Sequence, residues 1–339
     1  MSGTSLDGVD LAYCTFFEDN SSFKIGAVKT FPYDENWKIR LRNADQINAN
    51  ELAQLEIDLS KLFSEYILKF IDAFKLKTID AISSHGHTLF HQPNKGYSYQ
   101  IGQASYISAL TSYKVIADFR SADVALGGQG APLVPIGDRN LFSDYSNRIN
   151  LGGFANISFE LENKTLAFDI CPLNMALNEV VKELGYEYDS EGEIARSGKI
   201  DQQLLTKLNE IPFYQKTGPK SLGKEWYTDI FYPHLSITNR PVQDTLRTLI
   251  EHLAFQICRS MQDGNALITG GGAHNTFLIE RIKTLSENEI IIPEKNLIDF
   301  KEAIIFAYLG YLRMNEQINV LSSVTGASRD HIAGIIHIN

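Results

Sequence analysis

Hydrophobic and polar positions along this chain switch between a period of two and a period near 3.6, the pattern of mixed α/β structure. The run 11–17 reads as an apolar strand and 23–31 as its antiparallel partner, stopped by Pro32. Over 50–74 the residues Leu52, Leu55, Ile57, Leu59, Leu62, Phe63, Tyr66, Ile67 and Phe70 keep a helical spacing. Strand-like segments recur at 81–84, 98–101 and 113–118, with a helix predicted over 104–110. A second series begins at Arg148 with strand 149–151, a Gly152-Gly153 turn, and strands 155–160 and 165–170. Helices are predicted over 175–184, 201–208 and 242–261. Strand 266–269 then runs through three glycines into helix 275–285, and a last helix covers 301–315. Each half thus opens on a strand–glycine turn–strand ribbon and continues into α/β structure. That plan suits the two-lobed actin/Hsp70/sugar-kinase class, with a cleft between its lobes, or a Rossmann-like two-domain fold. The glycine- and proline-broken stretch 127–135 is the predicted crossover, with 127–130 as hinge. It divides the chain into lobes 1–126 and 127–317, with 318–339 packing back onto the first.

The opening residues, Met1-Ser-Gly-Thr-Ser-Leu-Asp-Gly-Val-Asp10, crowd glycines, hydroxyls and carboxylates into one turn. Gly3 and Gly8 are expected at positive φ, so that N–H groups around Thr4 and Ser5 form an anion-binding nest with the hydroxyls as further donors. Asp7 and Asp10 would repel phosphate unless Mg²⁺ stood between them. The alternative is an ordinary polar turn. A nest-type turn normally joins two strands and none precedes this one, so either a first strand is lacking or the start lies upstream. Without that strand, nucleotide binding is expected to be weak.

The 339 residues are 44% hydrophobic and 21% charged, ordinary for a globular protein long enough for two domains. A net charge of −10 argues against nucleic acid or an anionic membrane as partner. Cys14, Cys171 and Cys258 are widely spaced and odd in number, which reads as reduced cytoplasmic thiols. No apolar run reaches membrane-spanning length, and no basic-then-apolar leader opens the chain.

Gly270-Gly271-Gly272-Ala273, between an apolar strand and a helix, would offer amides to a phosphate or bare backbone to an adenine ring; a tight structural turn is the alternative. Gly218-Pro-Lys-Ser-Leu-Gly-Lys224 nears P-loop spacing, but Glu225 stands where Ser or Thr must hold Mg²⁺, so no P-loop is read there. Lys220 stays open between phosphate contact and surface loop. His85 and His87, two apart on one predicted strand face, could hold a metal with His91 or donate hydrogen bonds to a sugar. Arg120, flanked by Asp118 and Asp123, could fork onto a substrate carboxylate or pair with its neighbours. Asp169, near the end of a buried strand, is expected to be partly desolvated with a raised pKa suited to a general base, or else to cap the next helix. Glu302 could face the cleft or simply sit near its helix N-terminus.

Taken together, these segments resemble the anhydro-N-acetylmuramic acid kinase family. The resemblance lies in 1–10, Ser84-His-Gly-His-Thr88, Ala117-Asp-Phe-Arg120 with Asp123-Val-Ala125, 127–135, Asn150-Leu-Gly-Gly-Phe-Ala-Asn156, Phe168-Asp169, Gly218-Pro-Lys-Ser221, 270–275, and Glu302-Ala303 with Phe306-Ala307. It covers essentially the whole chain, and the order and spacing of the segments carry it. It implies an actin-like, ribonuclease H-like sugar-kinase fold with an interdomain cleft and a cytoplasmic role in peptidoglycan recycling; the sequence itself does not give the oligomeric state, for which a homodimer is one option. It also implies ATP, Mg²⁺, and an activity that opens the 1,6-anhydro bond with water while the γ-phosphate passes to O6. On that resemblance Asp169 would take the proton from water attacking C1. His85, His87, Arg120, Gln129 and Glu302 would contact the sugar and its lactyl carboxylate. The nucleotide would meet Ser2, Gly3, Thr4, Ser5, Asp7, Gly8, Gly152, Gly153, Asn156, Lys220, Gly270, Gly271, Gly272, Ala273 and Asn275, with Asp7 reaching Mg²⁺ through water. Three departures stand out. Cys171-Pro172-Leu173 replaces two glycines around a proline, Asn178 stands where a carboxylate is common, and Leu222 replaces a usual threonine. The rival readings are a sugar-binding relative without catalysis or with altered specificity, and a metal-dependent hydrolase on His85, His87 and His91.

Overall fold

In the computed structural model, which describes residues 1–338 apart from 4, 20, 163, 217, 219 and 236–239, contacts separate two units. One is Met1–Leu141 with Phe300–Asn339, the other Phe142–Asp299. The first crossing therefore follows Leu141 rather than Leu126, and the chain rejoins the first unit at Phe300, ahead of 318. The cause is local. Fully buried Asp123 accepts the Gly130 N–H at 2.7 Å and the Thr325 hydroxyl at 2.7 Å. The Gln129 N–H donates to the Thr325 carbonyl at 2.9 Å. The stretch read as a hinge is pinned inside the first unit.

In that unit β1 (Gly8–Phe16) pairs antiparallel with β2 (Phe23–Pro32). Helix Ala49–Phe74 opens on a capping box of Asn48 and Glu51 and buries Leu55, Leu59, Phe63, Ile67 and Phe70 on one stripe. Most of that stripe packs with Val9, Ile101, Ile107 and Val115. Burial of each such side chain is worth roughly 1.5–3 kcal/mol. Short β3 (Ile82–Ser83), the hairpin of β4 (His87–Gln92) and β5 (Tyr97–Ile101), and β6 (Val115–Ala117) follow. β3 lies parallel to β6, and the terminal strand Ile335–His337 runs antiparallel to it. The hydrophobic pattern does not show β4, because Gly86 at φ 74° breaks the alternation just before it.

The second unit holds one five-stranded sheet. β7 (Asn147–Leu151), β8 (Phe154–Leu161) and β9 (Lys164–Pro172) form an antiparallel meander. β10 (Asn265–Thr269) lies parallel to β7 and β11 (Glu289–Ile291) parallel to β10, giving the order β11-β10-β7-β8-β9. An antiparallel meander continued by parallel strands is the ribonuclease H-like arrangement of actin-like ATPases and departs from an all-parallel Rossmann sheet. Helix Val242–Ser260 buries Leu246, Leu249, Leu253 and Ile257 in one core with Ile149, Ile157, Ile170 and Val180. Among the described residues, no helix is long and apolar enough to cross a membrane.

Candidate active site

The turn 2–8 is held by both its arms. Met1 and Asp10 exchange two backbone hydrogen bonds of 2.8 Å, and Ser2 bridges Val9 on one side and His87 on the other. The glycines serve the turn differently from expectation. Leu6, not Gly3 or Gly8, takes the positive φ, at 61°. Gly8 is required by close approach, since a Cβ there would lie 2.3 Å from the Phe31 carbonyl oxygen. The amides of Ser5 and Asp7 donate to no described residue, and both residues are exposed, so the turn offers free donors. The Ser2 hydroxyl is not among them. It is buried and shared between the Tyr33 hydroxyl at 2.7 Å and His87 Nδ1 at 3.0 Å. Thr4 lies outside the described residues.

His85 and His87 do not share a strand face, because β4 begins only at His87. Arg120 Nε donates to His85 Nε2 at 3.0 Å, which leaves Nδ1 protonated and donating to the Gly86 carbonyl at 3.1 Å. Burial first, then the Arg120 charge, hold the His85 imidazole well below its usual pKa. Arg120 also donates through Nη1 to the Gly130 carbonyl. A neutral His85 and the loop pinned by Asp123 therefore aim the guanidinium, and both ring nitrogens of His85 are engaged within the protein. His91 is exposed and bonded through Nδ1 to Ser98 at 3.0 Å. The three imidazoles are engaged in three separate places, and no group of three ligands able to hold a metal exists among the described residues. The hydrolase reading is thereby corrected. Gln129 is exposed, and its side chain has no partner among the described residues. Glu302, on helix Lys295–Met314, has its pKa raised by surrounding protein first, with Arg120 opposing and Asp10 assisting. The residue's own surface is nevertheless open to solvent, so the crowding is that of neighbouring protein and not of a sealed interior.

In the second unit a polar row crosses the sheet, with Thr269, Asn150, Asn156 and Asp169 as successive register partners. The pairing slips between Ala155 and Asn156 and leaves Ile170 as an extra residue on β9, a bulge of the kind that re-aims side chains. Asp169 is half-buried. Its Oδ2 accepts the Leu222 N–H at 2.8 Å, and its own N–H donates to the Lys220 carbonyl at 2.9 Å. Oδ1 has no partner among the described residues. Burial raises the Asp169 pKa, with the Leu222 bond working against it. Asp169 caps no helix, since Leu173 stands at that position for helix Asn174–Val181. Lys220 Nζ donates to the Phe213 and Lys216 carbonyls and lies 4.6 Å from the Phe213 ring centre. Its ammonium bonds within its own loop, and segment 220–222 braces Asp169.

The Gly152 and Gly153 carbonyls accept N–H groups of Asn174 and Leu173 at 3.2 and 2.8 Å, while their own amides donate to no described residue. Gly270 takes φ 83°, and a Cβ there would lie 2.6 Å from Asn150 Oδ1; one on Gly272 would lie 2.7 Å from Leu173 Cδ2. A Cβ on Gly153 would meet nothing within 4 Å, and one on Gly271 only Asn174 Nδ2 at 3.8 Å. Packing thus explains two glycines and leaves Gly153 and Gly271 facing open space. Asn275 spends its side chain on the Leu278 N–H at 2.9 Å, and Ala273 is buried. Asn174, whose side chain donates to the Leu151 carbonyl at 3.2 Å, joins the two glycine turns, and nothing in the sequence signals it. Asn150 is visible in the sequence only as part of its motif. Cys171, Pro172 and Leu173 need no positive φ, so the lost glycines cost no backbone strain.

A profile described as anhydro-N-acetylmuramic acid kinase matches residues 1–339. The chain belongs to the anhydro-N-acetylmuramic acid kinase family. A relative from Sulfurovum sp. (strain NBC37-1) named anhydro-N-acetylmuramic acid kinase is 37% identical over 352 residues, covering 100% of this chain and 98% of its own. Relatives of the same name from Hydrogenovibrio crunogenus and Pseudomonas savastanoi pv. phaseolicola are 32% and 34% identical, each covering 99% of this chain and 96% and 97% of their own. Among solved structures, the activator of 2-hydroxyisocaproyl-CoA dehydratase from Clostridium difficile, with bound ADPNP, aligns at TM-score 0.42 and 13% identity over 93% of each chain. A ROK family glucokinase from Streptomyces griseus, with glucose and AMPPNP, aligns at TM-score 0.36 and 11% identity over 84% of this chain and 90% of its own.

Proposed function

We propose that this chain, in the cytoplasm and in peptidoglycan recycling, converts 1,6-anhydro-N-acetylmuramic acid, water and ATP into N-acetylmuramic acid 6-phosphate and ADP. Family membership supports the substrate. The observation that carries the chemistry is Asp169, half-buried, raised in pKa, braced on one oxygen by Leu222 and open on the other. Water attacks C1 while Asp169 takes its proton at Oδ1; the C1–O6 bond breaks with oxocarbenium character, and O6 accepts the γ-phosphoryl group as ADP leaves. General-base assistance of this kind is worth about 10²–10⁴ in rate. Arg120, held in place by His85 and Gly130, would fork onto the lactyl carboxylate, with Gln129 and Glu302 on the sugar. The free amides of Ser5 and Asp7 would take phosphate oxygens, as would those of Gly152, Gly153 and Gly271. Asp7 fits Mg²⁺, since its exposed carboxylate has no partner among the described residues and is a hard oxygen donor. Asp7 would hold the ion through water, and the ion's charge would offset that of the phosphates. A homodimer is the proposed assembly.

Asp169→Asn tests the reading. Sugar phosphorylation should fall by at least about 10² while ATP affinity survives. Equal loss of both would make Asp169 structural.

A further inference from the structure

Three parts of the first unit meet at one hydroxyl. Ser2 Oγ lies 2.7 Å from the Tyr33 hydroxyl and 3.0 Å from His87 Nδ1, and all three residues are at most 3% exposed. Tyr33 also donates its backbone N–H to the Asp7 carbonyl at 3.2 Å, so it grips the turn 2–8 at both ends. The relay satisfies Ser2 in either sense, because each hydroxyl can donate or accept and a neutral imidazole does one of the two at Nδ1. Burial keeps His87 neutral, its pKa pushed down to about 4, and keeps Tyr33 protonated. With the Tyr33 O–H donating to Ser2, the Ser2 proton goes to His87 Nδ1 and the imidazole proton sits on Nε2; with the proton on Nδ1, the same relay runs from His87 through Ser2 to Tyr33.

We propose that Tyr33 and His87 are positioning residues for phosphoryl transfer, acting through the Ser2 hydroxyl to fix the turn whose free amides meet the phosphates. This rests on the reading of that turn as a nucleotide site. Neither residue needs to touch a phosphate. Loosening the hub would let the turn's amides drift, and displacements of about 1 Å at such a site can cost about 10²-fold in rate.

The test compares Tyr33→Phe, His87→Gln and His87→Asn in the full chain. Asparagine carries a polar atom near the Nδ1 position and keeps the Ser2 contact; glutamine reaches toward Nε2 and loses it. With MgATP, Y33F and H87Q should lower kcat by at least about tenfold with KM for the sugar little changed, and H87N should stay within about threefold of the unsubstituted protein. Melting temperatures should stay close together. Unchanged kcat in Y33F and H87Q overturns the proposal, as does an active H87Q beside an inactive H87N, which would mean that His87 acts directly through Nε2. A kcat loss matched by the loss of folded protein overturns it too. If the unsubstituted protein makes no sugar phosphate, the functional reading fails by itself. The positioning claim is then read from MgADP affinity, expected to weaken in Y33F and H87Q alone, with equal affinities overturning it.

Discussion

A carboxylate whose folded pKa is raised works against folding wherever it is ionised. For Asp169 the folded state binds the proton more tightly than the unfolded one. Its stabilising share is therefore complete below the unfolded value of about 3.9 and is lost as pH climbs through the folded value. Asp169→Asn keeps an oxygen for the Leu222 N–H and removes the charge. At pH 7 its melting temperature should equal or exceed that of the unsubstituted protein, with the gap closing as the pH falls toward 4. A purely structural aspartate predicts the reverse, a drop at pH 7. The same shift places the acid limb of kcat/KM above the ordinary aspartate value, because the base works only when ionised. A limb at or below about 3.9 would point to another group. Asp123 is different in kind, buried and committed to Gly130 and Thr325. Asp123→Ala strands the Gly130 N–H, at about 1–3 kcal/mol, and removes the Thr325 bond as well, which thermal unfolding would register as a large loss.

Among the elements, the glycine turns separate packing from ligand contact. Gly270→Ala forces a side chain into positive φ and onto Asn150 and Leu151, a cost of roughly 1–3 kcal/mol. Gly153→Ala meets open space and should leave stability within about 0.5 kcal/mol while raising KM for ATP. Similar melting curves for the two variants would contradict that division. The long helix Ala49–Phe74 and both ribbons were legible in the sequence because each buries one face at its own period. The bulge at Ile170, the strand of His87 and the positive φ of Leu6 were not, since each depends on a partner strand or a distant contact that no local pattern encodes. His85 shows the same limit from the side of chemistry. Its imidazole reads as a ligand donor until Arg120, thirty-five positions away, is seen to occupy it.

At the scale of the whole molecule, the order β11-β10-β7-β8-β9 and the match over residues 1–339 agree on one kind of protein. The resemblance pointed to Asp169 as a base and to the glycine turns as phosphate contacts, while the bonds made by Leu222, Asn174, Tyr33 and Gly130 came only from the fold. A nucleotide that binds the folded chain must stabilise it, by about 2.7 kcal/mol at a hundredfold excess over Kd. MgADP should thus raise the melting temperature, and an unmoved transition would contradict the nucleotide site.

The most direct measurement incubates the protein with MgATP and 1,6-anhydro-N-acetylmuramic acid and follows both products by mass spectrometry. The account predicts N-acetylmuramic acid 6-phosphate and ADP in equal amounts, with the ring-opened sugar eighteen mass units heavier than simple phosphorylation would give, the mass of about one water. A phosphorylated sugar with its anhydro bond intact, or ADP formed without any sugar phosphate, would contradict it.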